Sequence, residues 1–179
     1  MQIHEGWLTG ARPIESPNHD ERPAGEVSLI VIHCISLPAG HFSNVHVEQL
    51  FTNCLDCDAH PDFDDIRELR VSSPLFIRRD GSIIQFVPFH QRAWHAGESS
   101  FAGRTQCNDF SIGVELEGID TGYFAEQQYR SLVEVCKVLM AHWDIPLQQL
   151  VGHSDIAPGR KTDPGAGFDW ARLRQEVST

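Results

Sequence analysis

The stretch "PLFIRRDGSIIQFVPF", residues 74–89, sets two apolar segments on either side of Asp80-Gly81. Asp-Gly supplies the positive φ angles of a tight turn, so the spacing predicts a β-hairpin. Working outward, two more strands follow. "SLIVIHC", 28–34, is a β-branched apolar run bounded by polar and glycine-containing segments, the signature of a strand buried on both faces, with His33 near its carboxyl end. "FSIGVELEG", 110–118, puts Ile112, Val114 and Leu116 on one face and Glu115 and Glu117 on the other. The plainer account of that acidic pair is a solvated strand face.

Between Glu126 and Trp143 the residues Tyr129, Leu132, Val133, Cys136, Leu139, Met140 and Trp143 recur with the 3.6-residue period, and Pro146 follows. This predicts an amphipathic helix packed on the sheet. "HVEQLFTN", 46–53, reads as a short helix, "LVGH", 150–153, as a short strand or loop, and "DWARLRQEV" as a closing helix. Residues 1–27, with three prolines and no periodicity, read as an irregular arm, and 54–70 is too acidic and interrupted to assign. No repeat, low-complexity tract or linker divides the chain. The expectation is one α+β domain over 1–179, a central mixed β-sheet flanked by α-helices.

At 179 residues the chain is of single-domain size, and a composition of 41% hydrophobic and 22% charged residues is that of an ordinary globular protein. Fourteen basic against 25 acidic residues give a net charge of -11, which repels phosphate backbones and argues against a nucleic-acid partner. No apolar run reaches the length of a membrane span, and the first residues lack the basic region and apolar stretch of a secretory signal. A cytoplasmic monomer with no membrane partner is therefore expected. Five cysteines, Cys34, Cys54, Cys57, Cys107 and Cys136, form an odd set without framework spacing, which suits reduced thiols. "CLDC" at 54–57 could be half of a zinc knuckle or a redox pair, but with no second close pair, two incidental cysteines near a loop is the simpler reading.

Ten histidines invite a search for metal or proton chemistry, and position decides which of them matter. "GHSDIAPGRKTDPG", 152–165, carries His153, Lys161 and Asp163 on a segment too rich in Pro and Gly to be a helix. A loop pinned by such residues can curl two side chains to one centre at little further entropic cost. With His33 held at a strand end, His153 and Asp163 would complete the three ligands of a catalytic zinc site, leaving one position open. Against this stand a hydrogen-bonded structural histidine and an aspartate serving a turn before proline. Amide hydrolysis at such a centre needs a proton acceptor and positive charge near the developing oxyanion. Glu115 and Glu117 are equally eligible as the acceptor, and Lys161 is a candidate for the charge.

"IVIHCISLP", "FIRRDGSIIQFVPF", "RAWHAG", "CNDFSIGVELEG" and "GHSDIAPGRKTDPGAGFDW", in this order and spacing, resemble the zinc-dependent N-acetylmuramoyl-L-alanine amidases, a family related to the peptidoglycan recognition proteins. The likeness runs from "EGWL" to "FDWARLR" and is greatest to the cytoplasmic branch that recycles cell-wall fragments. It implies Zn2+ held by His33, His153 and Asp163 at one edge of the sheet, Glu115 rather than Glu117 as the catalytic glutamate, and Lys161 as partner of the oxyanion. The implied substrate is an anhydro-muropeptide, cut between the lactyl group of (1,6-anhydro)-N-acetylmuramic acid and L-alanine. Trp94, His95 and Ala96 would border the substrate groove, and Arg70 would hold a stem-peptide carboxylate.

The chain departs from the family pattern at three places: Cys34 where Asn often follows the first ligand, Pro74 where His is usual, and Gln106 where Arg is usual, with Arg104 two positions earlier. These changes spare the ligands and the catalytic pair and bear on how the peptide is gripped. A thiol beside the metal is also a candidate for oxidation. Two alternatives are an amidase acting on intact peptidoglycan and a non-catalytic muropeptide-binding module. Net acidity speaks against the first, since an enzyme on an anionic wall gains from positive charge. Retention of all five site residues speaks against the second.

Overall fold

Six strands make the central sheet of the computed structural model, which describes residues 1–179. In chain order they are β1 (Arg12–Pro13), β2 (Leu29–Ile35), β3 (Leu75–Ile77), β4 (Ile83–Gln85), β5 (Ser111–Glu117) and β6 (Leu150–Gly152), arranged β6-β2-β5-β3-β4-β1. β6, β2, β5 and β3 are mutually parallel, β4 is antiparallel to β3, and β1 is parallel to β4. The sheet is mixed, as expected.

Side-chain alternation divides β2 and β5 between two apolar layers. On one face Ile30, Ile32, Ile112, Val114 and Leu116 meet Leu132, Val135, Cys136 and Leu139 of α2 (Glu126–Trp143), with Leu173 of α4 (Trp170–Val177) alongside. The period in the sequence predicted α2 with the bounds observed. Gln128 ties its first turn to the sheet: Oε1 accepts the Ala125 N–H at 2.9 Å, and Nε2 donates to the carbonyls of Ile77 and Glu117, both at 3.1 Å. The opposite face has no long helix. Val47, Leu50 and Phe51 of α1 (His46–Phe51) cover Phe76, Ile84 and Phe86 there, while Ala96, Cys107 and Phe110 from the 91–110 connection cover Leu29 and Val31.

Several local expectations change. The hairpin turn is longer than a two-residue one: Arg78 N–H donates to the Ser82 carbonyl and Gly81 N–H to the Arg78 carbonyl, each at 2.9 Å. Only Gly81 has positive φ, at +85°, the glycine-bulge form of a three-residue turn. Asp80 serves instead through its side chain, which accepts from Ser82 N–H and Oγ–H. The arm is ordered by backbone pairing: Ile3–His4 with Trp7–Leu8, His19–Glu21 with Gln91–Ala93, and β1 on the sheet edge. Strands of two or three residues carry too few side chains to show a period. Pro61–Ile66 forms a 3₁₀ turn. The 152–165 segment does contain one helical turn, α3 (His153–Ile156), because its breakers begin only at Pro158. The largest change concerns Glu115 and Glu117, since every residue of β5 is buried.

Candidate active site

His33, His153 and Asp163 meet beyond the carboxyl ends of the parallel strands, on the β6 side of the sheet, where open parallel sheets place their ligands. His33 sits on β2 in register with Glu115 on β5, so the two side chains share a face. Gly152, the last residue of β6, lies beside Ile32, which delivers His153 to the same end. α3 then turns the chain. Ser154 N–H donates to the Asp163 carbonyl at 3.0 Å, closing the loop so that Asp163 returns over His153.

The facing atoms are close: His33 Nδ1 to His153 Nδ1 2.9 Å, His153 Nδ1 to Asp163 Oδ2 3.1 Å, and His33 Nδ1 to Asp163 Oδ2 3.3 Å. A tetrahedral ion with bonds of about 2.0–2.2 Å separates its ligand atoms by roughly 3.3–3.6 Å, so a few tenths of an ångström of outward movement fits one. The proton inventory agrees. His153 Nε2 faces the Ala96 carbonyl at 3.1 Å, and a carbonyl only accepts, so Nε2 carries the hydrogen and Nδ1 a lone pair. His33 Nε2 faces His95 Nδ1 at 2.9 Å, His95 Nε2 faces Ser111 Oγ at 3.2 Å, and Ser111 Oγ–H donates to the Cys107 carbonyl at 2.6 Å. Read back along that chain, His33 Nε2 carries the hydrogen and Nδ1 a lone pair. Three acceptors thus converge with no hydrogen to share, an arrangement that a cation resolves. These three side chains could hold a metal ion.

Electrostatics point the same way. His33 is 1% exposed, and burial pushes its pKa down to about 4, so the ring is neutral. Burial raises Asp163, but the contacts with His153 and His33 outweigh it and hold the carboxylate well below its usual range. Ligands in these protonation states are those a divalent ion needs.

Glu115 and Glu117 separate here. Glu117 Oε1 accepts the Ser43 N–H at 2.5 Å and Oε2 accepts the Arg79 N–H at 2.9 Å, so both of its oxygens tie down backbone. Glu115 Oε2 is sealed from water and has no partner. Burial, then the charge of Asp163, push the Glu115 carboxyl well above the usual carboxylate range, while Lys161 pulls it the other way.

Residues 23–166 match the N-acetylmuramoyl-L-alanine amidase family. The chain belongs to that family. It is 51% identical to the 1,6-anhydro-N-acetylmuramyl-L-alanine amidase AmpD of Escherichia coli (strain K12), over 99% of this chain and 98% of that one. Its fold matches a crystal structure of a selenomethionine AmpD derivative with a TM-score of 0.96, at 51% identity over 99% of each chain. A complex of the E. coli amidase AmiD with anhydro-N-acetylmuramic acid-L-Ala-D-γ-Glu-L-Lys matches 98% of this chain and 65% of that chain, with a TM-score of 0.63 and 29% identity.

A cavity of about 450 Å³ opens onto the amidase centre, lined by Glu115, His153 and Asp163 together with Lys161, Arg70 and Trp94. That volume suits a ligand of small-peptide size. Lys161 is exposed at its border, and Arg70 is exposed with Nη1 donating to the carbonyls of Arg67 and Leu69. His95 and Ala96 also line the cavity, but their polar groups turn inward to His33 and His153. Of the departures from the family pattern, Cys34 borders the cavity with Sγ 3.8 Å from the Pro164 carbonyl. Burial, then Glu115 and Asp163, push its thiol up, which disfavours the thiolate, the form that oxidises. Arg104 does not replace the missing arginine at 106: it pairs with Glu26 at 2.8 Å and stacks 3.8 Å over Phe110. Pro74 is buried ahead of β3, its carbonyl accepting the Phe86 N–H at 2.9 Å.

Sequence reasoning missed Arg160, Ser111 and Asn108. The Arg160 guanidinium donates to the carbonyls of Ala96 and Glu98, tying the ligand loop to the 95–98 segment. Neither spacing nor periodicity carries a signal for such contacts.

Proposed function

We propose that this amidase uses zinc at the His33–His153–Asp163 centre to hydrolyse the amide joining the lactyl group of 1,6-anhydro-N-acetylmuramic acid to the L-alanine of a stem peptide. The observation that carries the reading is the buried, unpartnered Oε2 of Glu115 on the strand face it shares with His33. The named substrate of AmpD and the muropeptide held by AmiD support the choice of ligand.

When bound, zinc supplies Lewis acidity toward a carbonyl oxygen and makes water acidic near neutral pH. The Glu115 carboxylate takes the proton of the attacking water and delivers it to the departing alanine nitrogen, and the higher proton affinity that burial gives it suits both halves of that exchange. Lys161 brings positive charge to the oxyanion of the tetrahedral intermediate. Arg70 meets a carboxylate of the stem peptide at the rim, and Trp94 offers an apolar wall. The net charge of -11 favours a soluble fragment over an anionic polymer. Five unpaired cysteines suit a reducing compartment, supporting a cytoplasmic enzyme. One chain supplies every side chain named, which supports action as a monomer.

The test follows free peptide by mass spectrometry, on soluble anhydro-muramoyl peptide and on intact sacculi, before chelation, after it, and with zinc restored. Cleavage of the soluble fragment that chelation stops and zinc restores is expected. Binding without cleavage would make the protein a recognition module, and preference for sacculi would make it a wall-degrading amidase.

A further inference from the structure

We infer that Asn108, acting through the dipeptide His95-Ala96, is a positioning residue that holds both histidine ligands at once and sets how tightly the centre binds a divalent metal. The inference rests on the metal-site reading above. Asn108 Oδ1 accepts the N–H of His95 at 3.1 Å and of Ala96 at 2.8 Å. Both partners are donors, so the atom facing them is the amide oxygen.

The dipeptide in turn reaches the outer nitrogen of each ligand: the His95 ring meets His33 Nε2 at 2.9 Å, and the Ala96 carbonyl meets His153 Nε2 at 3.1 Å. Two ligands 120 residues apart in the chain are therefore oriented by neighbours in sequence, and one side-chain oxygen holds the backbone N–H groups of both neighbours, with Ser111 on the His95 ring and Arg160 on the Ala96 carbonyl. The clamp is anchored away from the metal. Arg22, 6% exposed, donates from Nη1 to the Asn108 carbonyl at 2.9 Å, and Arg92 pairs with Asp109 at 2.6 Å. Room for the His95 ring against the sheet comes from Gly113, where a Cβ would lie 2.6 Å from that ring.

Outer partners of this kind fix the ring orientation and tautomer of a ligating histidine, and their loss costs roughly 10- to 100-fold in metal affinity. A loop held only for packing would show no such dependence. Aspartate at 108 keeps an acceptor oxygen for both N–H groups, whereas alanine removes it.

The test measures zinc affinity of the full-length protein, stripped of metal, by competition with a chromophoric chelator, with circular dichroism and thermal melting as the check on folding. Asn108→Ala should weaken binding by about 10- to 100-fold, and Asn108→Asp should restore it to within about threefold of wild type. Wild-type affinity in a folded Asn108→Ala protein, or equal loss in Asn108→Asp, overturns the clamp. Should Asn108→Ala fail to fold, His95→Leu and His95→Gln replace the pair: glutamine can accept from His33 and donate to Ser111, and leucine can do neither. Leucine should then weaken zinc binding and glutamine rescue it, and unchanged affinity in His95→Leu overturns the proposal. A wild-type protein with no zinc affinity sinks the metal reading itself, whereas wild-type binding beside an unaffected variant sinks the clamp alone.

Discussion

The two faces of strands β2 and β5 are equally buried, but one is wholly apolar and the other sets polar groups beside Leu29 and Val31. Toward α2 and α4 stand Ile30, Ile32, Ile112, Val114 and Leu116, none more than 1% exposed. Toward α1 and the 91–110 connection stand His33, Ser111, Glu115 and Glu117, none more than 8% exposed. The first face stabilises the fold by about 1.5–3 kcal/mol for each aliphatic side chain fully buried. The second carries polar groups whose burial costs free energy unless each finds a partner. His33, Ser111 and Glu117 have partners; Glu115 Oε2 has none. Burial therefore does not distinguish a structural acid from a reactive one, and an unmet hydrogen bond does.

Glu115→Ala probes that distinction with the largest expected effect. Turnover should fall by about 10²- to 10⁴-fold through loss of the proton carrier. Zinc content and melting temperature should hold or rise, since the variant removes a buried carboxyl that has nothing to bond. Rates, metal analysis and thermal melting decide it; a lower melting temperature would place Glu115 among the structural acids.

Glu117→Ala is the converse. It removes the charged acceptor from the part-buried bonds of the Ser43 and Arg79 N–H groups, a loss of about 0.5–3 kcal/mol for each. In a protein of this size each kcal/mol lowers the melting temperature by roughly 2–4 °C. Turnover per folded molecule should stay near wild type. A stable Glu117→Ala protein with lost turnover would exchange the roles of the two glutamates.

The first face and the chain's helical layer were legible because their signals are local. The 3.6 period between Glu126 and Trp143 and the alternation from Ile112 to Leu116 each need only a few consecutive residues. The second face was misread for the same reason: Glu115 and Glu117 alternate with apolar residues as a solvated strand face does. What buries them is α1 and an irregular connection, both distant in the chain and without period. His33 and His153 likewise have no spacing that joins them; a strand end and a pinned loop offered the trio as one candidate, and the family resemblance singled it out. Asn108, which touches no ligand directly, had no sequence signal.

Acid should also act on the second face before it reaches the first. His33 is neutral in the fold, with a pKa near 4 against about 6.5 in an unfolded chain. Below about pH 6.5 the unfolded chain takes up a proton that the folded one refuses, so stability falls with pH from there to about 4, by up to about 1.4 kcal/mol per pH unit for each such group. His95, also pushed down by burial, adds in the same direction, whereas Glu115, pushed up, takes up its proton first in the folded chain and offsets part of the loss. Denaturant melts of metal-free Glu115→Gln protein, in which the opposing carboxyl is gone, should be flat above about pH 7 and decline below it. The destabilisation caused by Ile30→Val, on the apolar face, should be the same above about pH 7 as near about pH 5.

Cys34 offers the smallest effect and the finest test. It lies beyond Ile32 at the end of β2, half-buried, packed against the apolar layer yet bordering the cavity. Its one polar contact is the weak 3.8 Å approach to the Pro164 carbonyl, so Cys34→Ala should change stability by less than about 1 kcal/mol. Alkylation resolves more. Exposed Cys54 should react first with iodoacetamide at pH 8, and Cys34 much later, because burial and the carboxylates of Glu115 and Asp163 oppose its thiolate. If peptide mapping found Cys34 labelled as fast as Cys54, the field at the end of β2 would have to be positive enough to stabilise an anion there. The contribution of the Asp163 charge to the raised pKa of Glu115, on the neighbouring strand, would then be cancelled, leaving burial as its cause.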